Sequence, residues 1–193
     1  MTSYQVHTAV KTNSIKALKA CVFMAEEIPS FSLNQEDEDG ITGLIEACIS
    51  GNTEMVQLLL DAGCPAQPTG DFRHTPLRGA TLCGNHHLIL ILFKAGSDPN
   101  ALSEGNRTPL MGACFLRSGV DREKSALCVK ALLEDPRTDP SIRNSFGESA
   151  LDLAKNREYT ESIALVEEAL AKWEKGNDDN YPKKRKVTPD SEP

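Results

Sequence analysis

Aromatic residues, paired cysteines and long apolar runs are scarce or absent in this sequence of 193 residues. Aromatics make up only 5% of the chain, which suits helices packed through small side chains better than an aromatic-rich β-sandwich. No apolar run approaches the roughly 18 residues that indicate a transmembrane helix. Residues 1–4 contain no apolar signal core, so we expect neither a membrane protein nor a secreted one.

Cysteine and histidine spacing gives no sign of a disulfide framework or of a metal site. The six cysteines are scattered without a Cys-x-x-Cys pair, which favours small buried side chains in a reducing compartment. No cluster of His, Cys and carboxylates has the spacing of metal ligands, and no nucleophile–base set is visible. We therefore expect no metal, no cofactor, no catalytic residues and no enzymatic activity.

A short phrase recurs along the chain and organises it. Thr75-Pro76-Leu77 with Ala80 is repeated 33 residues later as Thr108-Pro109-Leu110 with Ala113, and a related phrase begins at Thr42. A fixed period of this size indicates a repeat array. Thr is a favourable N-cap residue, and Pro fits the first helical position because its missing N–H would have no intrahelical partner there.

The period divides residues 1–175 into a domain of five helix-turn-helix units, followed by a tail at 176–193. The fourth unit is lengthened by seven residues within 117–124, and the charged final helix is typical of a capping repeat. The polar composition of the tail predicts disorder. The predicted units span about 3–35, 38–70, 71–103, 104–144 and 145–175.

These residues resemble the ankyrin repeat family over about 3–173. The resemblance rests on the Thr-Pro-Leu phrases, the Gly-Asn turns at 51–52 and 84–85, and Ala-Gly-Ser-Asp-Pro-Asn at 95–100. It implies an all-α solenoid with projecting β-turns, capping units at both ends, and a concave face that binds a partner protein. The chain departs from the family at Arg73, where Gly is usual, and we expect mild strain or an altered turn there.

The resemblance also implies which side chains line the concave face. Ile49, Leu82 and Phe115 occupy the same position in successive units and would form an apolar stripe, unless adjacent helices or the connection after the first unit cover them. An apolar patch with a charged rim is typical of a partner site. The candidate partner-binding residues are Ile49, Phe72, His74, Leu82, Arg107, Phe115, Leu116, Phe146 and Arg157.

The acidic run Glu36, Asp37, Glu38 and Asp39 allows two interpretations. It is either a solvated turn or a feature that steers a basic partner toward the chain. Residues 1–65 carry three lysines against nine acids, which argues against direct nucleic-acid binding. Chaperone-like binding of a basic client by this acidic half is the alternative to the concave-face function.

The tail contains Pro182, Lys183, Lys184, Arg185, Lys186 and Val187, a hexapeptide similar to the nuclear localisation signal of the simian-virus large T antigen. Its partner would be a nuclear import receptor. The same peptide is used as an artificial tag, but residues 188–193 do not resemble a cloning remnant, which favours a natural tail. Phosphorylation at Thr188 would place negative charge beside the cluster and weaken import.

Asn100 has two interpretations as well. With Leu92 and Asp98 it is similar to the pattern that an asparaginyl hydroxylase modifies in some ankyrin proteins, or it is simply a turn residue. Taken together, the sequence predicts a monomeric ankyrin protein located in the nucleus with a cytoplasmic pool. We expect it to act as an adaptor or inhibitor that binds a partner protein, without contacting membrane or nucleic acid.

Overall fold

The computed structural model describes residues 5–67, 74–116 and 118–176, and within these ranges it contains ten helices and no β-strand. The expected all-α solenoid is confirmed. Each predicted unit contains one pair of helices. The helices are α1 Gln5–Lys11, α2 Ile15–Glu27, α3 Gly43–Ser50, α4 Thr53–Asp61, α5 Pro76–Leu82, α6 His86–Lys94, α7 Pro109–Ala113, α8 Glu123–Leu133, α9 Ala150–Asn156 and α10 Thr160–Gly176.

Hydroxyl N-caps start the first helix of the last four units. Thr42, Thr75 and Thr108 each accept a hydrogen bond from the backbone N–H three residues later, and Ser149 does the same in the fifth unit. Each of these bonds satisfies one of the amides that a first helical turn leaves without a partner. The repeated phrase therefore predicts the helix starts for a local, physical reason.

Left-handed glycines separate the two helices of the second and third units. Gly51 has φ 75° and Gly84 has φ 72°, a region that L side chains rarely adopt. Asn52 and Asn85 follow them and accept from the backbone N–H groups of Met55 and Leu88, which caps the second helices. The Gly-Asn pair thus ends one helix and begins the next.

Hairpin turns project between the units. Isolated antiparallel bridges join Glu36 to Thr42, Ser103 to Arg107 and Arg143 to Ser149. Asn106 takes the positive φ of 54° at the position that Gly40 and Gly147 occupy in other units. Arg73, where strain was expected, lies outside the described residues.

The units stack because equivalent helices contact each other along the array. First helices meet in the order α1, α3, α5, α7 and α9, and second helices in the order α2, α4, α6, α8 and α10. At Gly79 an added Cβ would lie 3.1 Å from Ile49 Cγ1 and 3.2 Å from Cys48 Cβ, so the glycine lets α5 pack closely against α3 without a tight contact. The leucines between the helices, including Leu59, Leu92 and Leu132, are fully buried.

The insertion in the fourth unit differs slightly from its prediction. Helix α8 begins at Glu123, so Glu123 and Lys124 are helical and the lengthened turn is shorter than 117–124. An acidic residue in a first helical turn is stabilised by the helix dipole, which favours this earlier start. Within the described residues, no helix has the length and apolar character needed to cross a membrane.

Candidate protein-binding surface

The ends of successive first helices are connected by hydrogen bonds. Cys83 Sγ lies 3.3 Å from the carbonyl oxygen of Cys48, to which it donates, and Asn85 Nδ2 donates to the carbonyl of Gly51 at 3.2 Å. These contacts place the C-terminal ends of α3 and α5 side by side. Exposed side chains at the C-terminal ends of α3 and α5 can therefore lie on the same surface.

The predicted apolar stripe lies at these helix ends. Ile49 and Leu82 are half-buried, whereas Phe115, just after α7, is 44% exposed. The stripe is therefore partly covered by its neighbours, and its accessible apolar area is concentrated on Phe115.

Leu116 was expected on the same exposed surface, and this assignment is wrong. Its side chain is only 2% exposed. Because the chain leaves α7 at Cys114, the neighbouring residues Phe115 and Leu116 point in different directions, one toward solvent and one inward. Leu116 contributes to folding and is not accessible to a partner.

Two arginines lie over two of the three exposed phenylalanines in the described residues. The Cζ atom of Arg157 lies 3.9 Å from the ring centroid of Phe115, and that of Arg107 lies 5.7 Å from the ring of Phe146. Phe146 is the most exposed large apolar side chain in the described residues, at 72%. Each pair combines a cation with an aromatic face, an arrangement stabilised by the ring quadrupole.

Arg78 is a third cation beside this group, and the sequence did not single it out as a binding residue. It is half-buried on α5, and its Nε has no hydrogen-bond partner. Burial lowers the pKa of Arg78, the nearby charge of Arg107 lowers this pKa further, and Glu104 opposes the change. One signal was available: Arg78 occupies the position at which the first unit has the buried His7.

His7 shows what that position does elsewhere in the array. The ring is 2% exposed, and Nε2 lies 2.7 Å from the carbonyl oxygen of Ile41. The side chain therefore connects α1 to the turn that precedes α3. Arg78 does not reproduce this contact, because its Nε is buried without a hydrogen-bond partner.

The remaining predicted contact residues are less informative. His74 is half-buried before α5, and Phe72 lies outside the described residues. The acidic turn is partly structural, because Asp37 Oδ1 accepts from the backbone N–H groups of Asp39 and Ile41. Glu36, Glu38 and Asp39 are exposed.

Asn100 has its side-chain amide engaged across units. Its Nδ2 donates to the carbonyl of Arg137 at 2.6 Å, and its Oδ1 accepts from the backbone N–H of Asp139 at 2.8 Å. This is a structural role for a turn asparagine. Hydroxylation of Asn100 stays a prediction.

The cysteines are all free thiols, and five of the six are buried. Burial raises the pKa of Cys64 to about 11 and that of Cys114 to about 12. These thiols are therefore protonated at neutral pH and behave as small apolar side chains. In the part of the chain that the structure describes, no group of three or more His, Cys, Asp or Glu residues could hold a metal ion.

Comparison with known proteins gives one positive result. A family model for ankyrin repeats matches residues 6–103, with three copies of the repeat, which is about half of the chain. No curated protein sequence matches the chain.

The basic segment 182–187 and Thr188 lie outside the described residues.

Proposed function

This chain belongs to the ankyrin repeat family, and from that premise we propose that it is a nuclear adaptor or inhibitor that binds a partner protein. Ankyrin repeats are protein–protein interaction modules and are generally not enzymes. The observation that carries the proposal is the exposure of two aromatic side chains, Phe115 in the apolar stripe and Phe146 in the hairpin turn before α9. A bound partner would cover these rings and remove their apolar surface from water, which would stabilise the complex.

Affinity capture from nuclear extract tests this proposal. The wild-type chain is compared with a Leu82→Glu/Phe115→Glu variant, which places two carboxylates in the apolar stripe. A matched control is Leu90→Glu/Leu127→Glu, because these two leucines are also exposed but lie on the second helices α6 and α8. Circular dichroism confirms that each variant is folded before capture.

We expect the stripe variant to lose proteins that the wild type and the control variant both retain. An unchanged set of captured proteins for the stripe variant would contradict the surface assignment. Loss of the same proteins from the control variant would place the binding surface on the second helices instead.

Nuclear entry through residues 182–187 is the second part of the proposal. Four adjacent basic residues suit the acidic groove of an import receptor. A fluorescent fusion carrying Lys184→Ala/Arg185→Ala should shift from nucleus to cytoplasm, and an unchanged distribution would refute this import route.

Phosphorylation at Thr188 is tested with two further fusions. Thr188→Glu should shift partially to the cytoplasm while Thr188→Ala stays nuclear, and equal nuclear fractions for the two would refute the phosphorylation effect.

The exposed carboxylates of Glu36, Glu38 and Asp39 support the alternative function, in which the acidic half binds a basic client. The dependence of binding on salt concentration distinguishes the two functions. A client bound by exposed charges should dissociate steeply between low and moderate ionic strength, whereas a partner on the apolar stripe should persist.

A further inference from the structure

We infer that the partner presents an acidic peptide segment with an apolar side chain, and that this segment binds the surface formed by Arg78, Arg107, Phe115, Phe146 and Arg157. These five residues are called the arginine–phenylalanine surface. The inference rests on the proposed function and adds the chemistry of the partner to it.

The three arginines of this surface form no salt bridge within the described residues. The arginines of the next hairpin differ, because Arg137 pairs with Asp135 at 2.6 Å and Arg143 pairs with Asp152 at 3.1 Å. The chain therefore pairs these two arginines directly with carboxylates, whereas Arg78 feels the charge of Glu104 without forming a salt bridge with it. A ligand carboxylate would form the salt bridges that the three arginines of this surface lack.

Arg78 gives the strongest argument for an acidic ligand. It is half-buried, its Nε is buried without a hydrogen-bond acceptor, and it feels the like charge of Arg107 as well as the opposite charge of Glu104. Burying part of a guanidinium group beside a like charge is unfavourable unless an anion offsets it. A ligand carboxylate near Arg78 and Arg107 would add to the offset that Glu104 provides, and it could accept hydrogen bonds from the terminal N–H groups of either arginine.

The cation–π geometry leaves the arginines free to bind such a group. A cation–π contact does not use up the N–H groups of a guanidinium, so these donors can still bind an acceptor on a ligand. Arg157 lies over Phe115 at 3.9 Å, and Arg107 lies near Phe146 at 5.7 Å. Each aromatic ring thus orients a cation and also reduces its freedom before a ligand arrives.

The same rings explain the apolar part of the ligand. Phe115 and Phe146 are 44% and 72% exposed, so both retain area that a ligand side chain can cover. Phenylalanine and arginine are both enriched at protein interfaces relative to the rest of the surface. A ligand with only charges would leave this area exposed to water.

The members of this surface lie on adjacent units. Arg78 Cγ lies 3.5 Å from the Cβ position of Gly112 on α7, and the backbone N–H of Phe115 donates to the carbonyl of Gly112. Arg78 therefore packs against α7, the helix after which Phe115 follows. Arg157 adds the fifth unit through its contact with Phe115.

The negative charge on the rest of the chain favours a peptide over a nucleic acid as the ligand of this surface. The whole chain carries a formal net charge of −7, and Glu104 lies close enough to Arg78 to affect its pKa. A nucleic acid would bring a continuous row of phosphates toward these acids, whereas a short peptide places its carboxylates only at the arginines.

Selection from a displayed library of random dodecapeptides tests the inference on the full chain. The wild type is compared with Arg107→Glu/Arg157→Glu and with a matched control, Lys94→Glu/Lys130→Glu, which changes charge equally on exposed second-helix positions. The most enriched peptides are synthesised, and their dissociation constants are measured by fluorescence anisotropy, with labelled oligothymidine as a separate probe.

We expect enriched peptides with negative net charge and an aromatic or aliphatic residue. The surface variant should raise their Kd by at least about tenfold, and the control by less than about twofold, because only the first removes direct charge-assisted contacts. No enrichment, neutral or basic peptides, or equal weakening by both variants would overturn the inference. Oligothymidine binding as tight as that of the peptides, and lost in the surface variant, would also overturn it.

The outcomes separate this inference from the function on which it rests. If the selected peptides are basic or neutral and fail to bind Leu82→Glu/Phe115→Glu, the chain still has a protein-binding surface. That result would refute only the preference of this surface for acidic peptides. If neither peptides nor captured proteins depend on the surface, the inference and the proposed function both fail.

Discussion

Asp152 shows how one carboxylate can fix the start of a unit. Its Oδ2 accepts from the backbone N–H of Ser149 at 2.8 Å and from the Ser149 hydroxyl at 2.7 Å, while Arg143 Nη1 lies 3.1 Å away. Ser149 in turn accepts from the backbone N–H of Asp152, which completes a reciprocal capping box. These contacts, led by the backbone hydrogen bond from Ser149, lower the pKa of Asp152 below its ordinary value of 3.8.

Asp152→Asn should therefore reduce stability in a pH-dependent way. A lowered folded-state pKa contributes stability that is present above pH 3.8 and is lost as pH falls through the folded value. We expect a loss of roughly 0.5 kcal/mol at neutral pH, since water screens this exposed carboxylate. The difference from wild type should shrink as the pH falls from 3.8 through the lowered folded-state pKa, because the protonated acid resembles the amide. Urea unfolding at neutral pH and at acid pH measures it.

Asp121→Asn is the matched control for charge removal, because Asp121 is exposed and makes no salt bridge with any other described residue. Its stability should match that of wild type at both pH values. A loss for Asp152→Asn that stays constant from neutral to acid pH would show that its charge contributes nothing.

Buried hydroxyls join three helices at the C-terminal end of the array. Ser125 Oγ on α8 donates to the carbonyl of Ala113 at 2.7 Å and lies 2.7 Å from Ser162 Oγ on α10. Ser125 is 0% exposed and Ser162 is 1% exposed. The network therefore ties the irregular fourth unit to the capping helix.

Ser125→Ala should destabilise the chain by about 1–3 kcal/mol, because it leaves the Ser162 hydroxyl and the Ala113 carbonyl without this buried partner. Ser162→Ala should cost less, since Ser125 can still donate to Ala113. The double variant should lose less than the sum of the two single variants, because the serines share one interaction. Chemical denaturation of all four proteins gives the coupling, and strictly additive losses would contradict a shared network.

Elements set by local chemistry were predictable from sequence, and those set by distant contacts were not. Thr75 and Gly51 act through their own helix ends, so their type and spacing predicted caps and turns. Ser125 was not predictable, because its partner Ser162 is remote in sequence and polar residues carry no core periodicity. Leu116 was assigned to the exposed surface on the assumption that α7 continues through it, whereas α7 ends at Ala113 and Leu116 is buried.

The whole molecule is held together by contacts between neighbours in the array. Every substantial helix–helix contact in the described residues joins helices of one unit or of adjacent units. In such an array, stability is close to a sum of unit and interface terms. A local defect should therefore have a local effect, which a protein with one closed core would not show.

Leu132→Ala tests this at the scale of the whole chain. Leu132 is fully buried on α8, which packs against α6, α7 and α10, and its truncation should cost about 2–5 kcal/mol. Amide hydrogen exchange should rise strongly in those helices and little in α1 and α2. The matched variant Leu59→Ala removes an equally buried leucine on α4, and exchange should instead rise in α2, α3, α4 and α6. An equal rise along the entire chain for both variants would contradict neighbour-limited coupling, because it would mean that all five units unfold as one cooperative body.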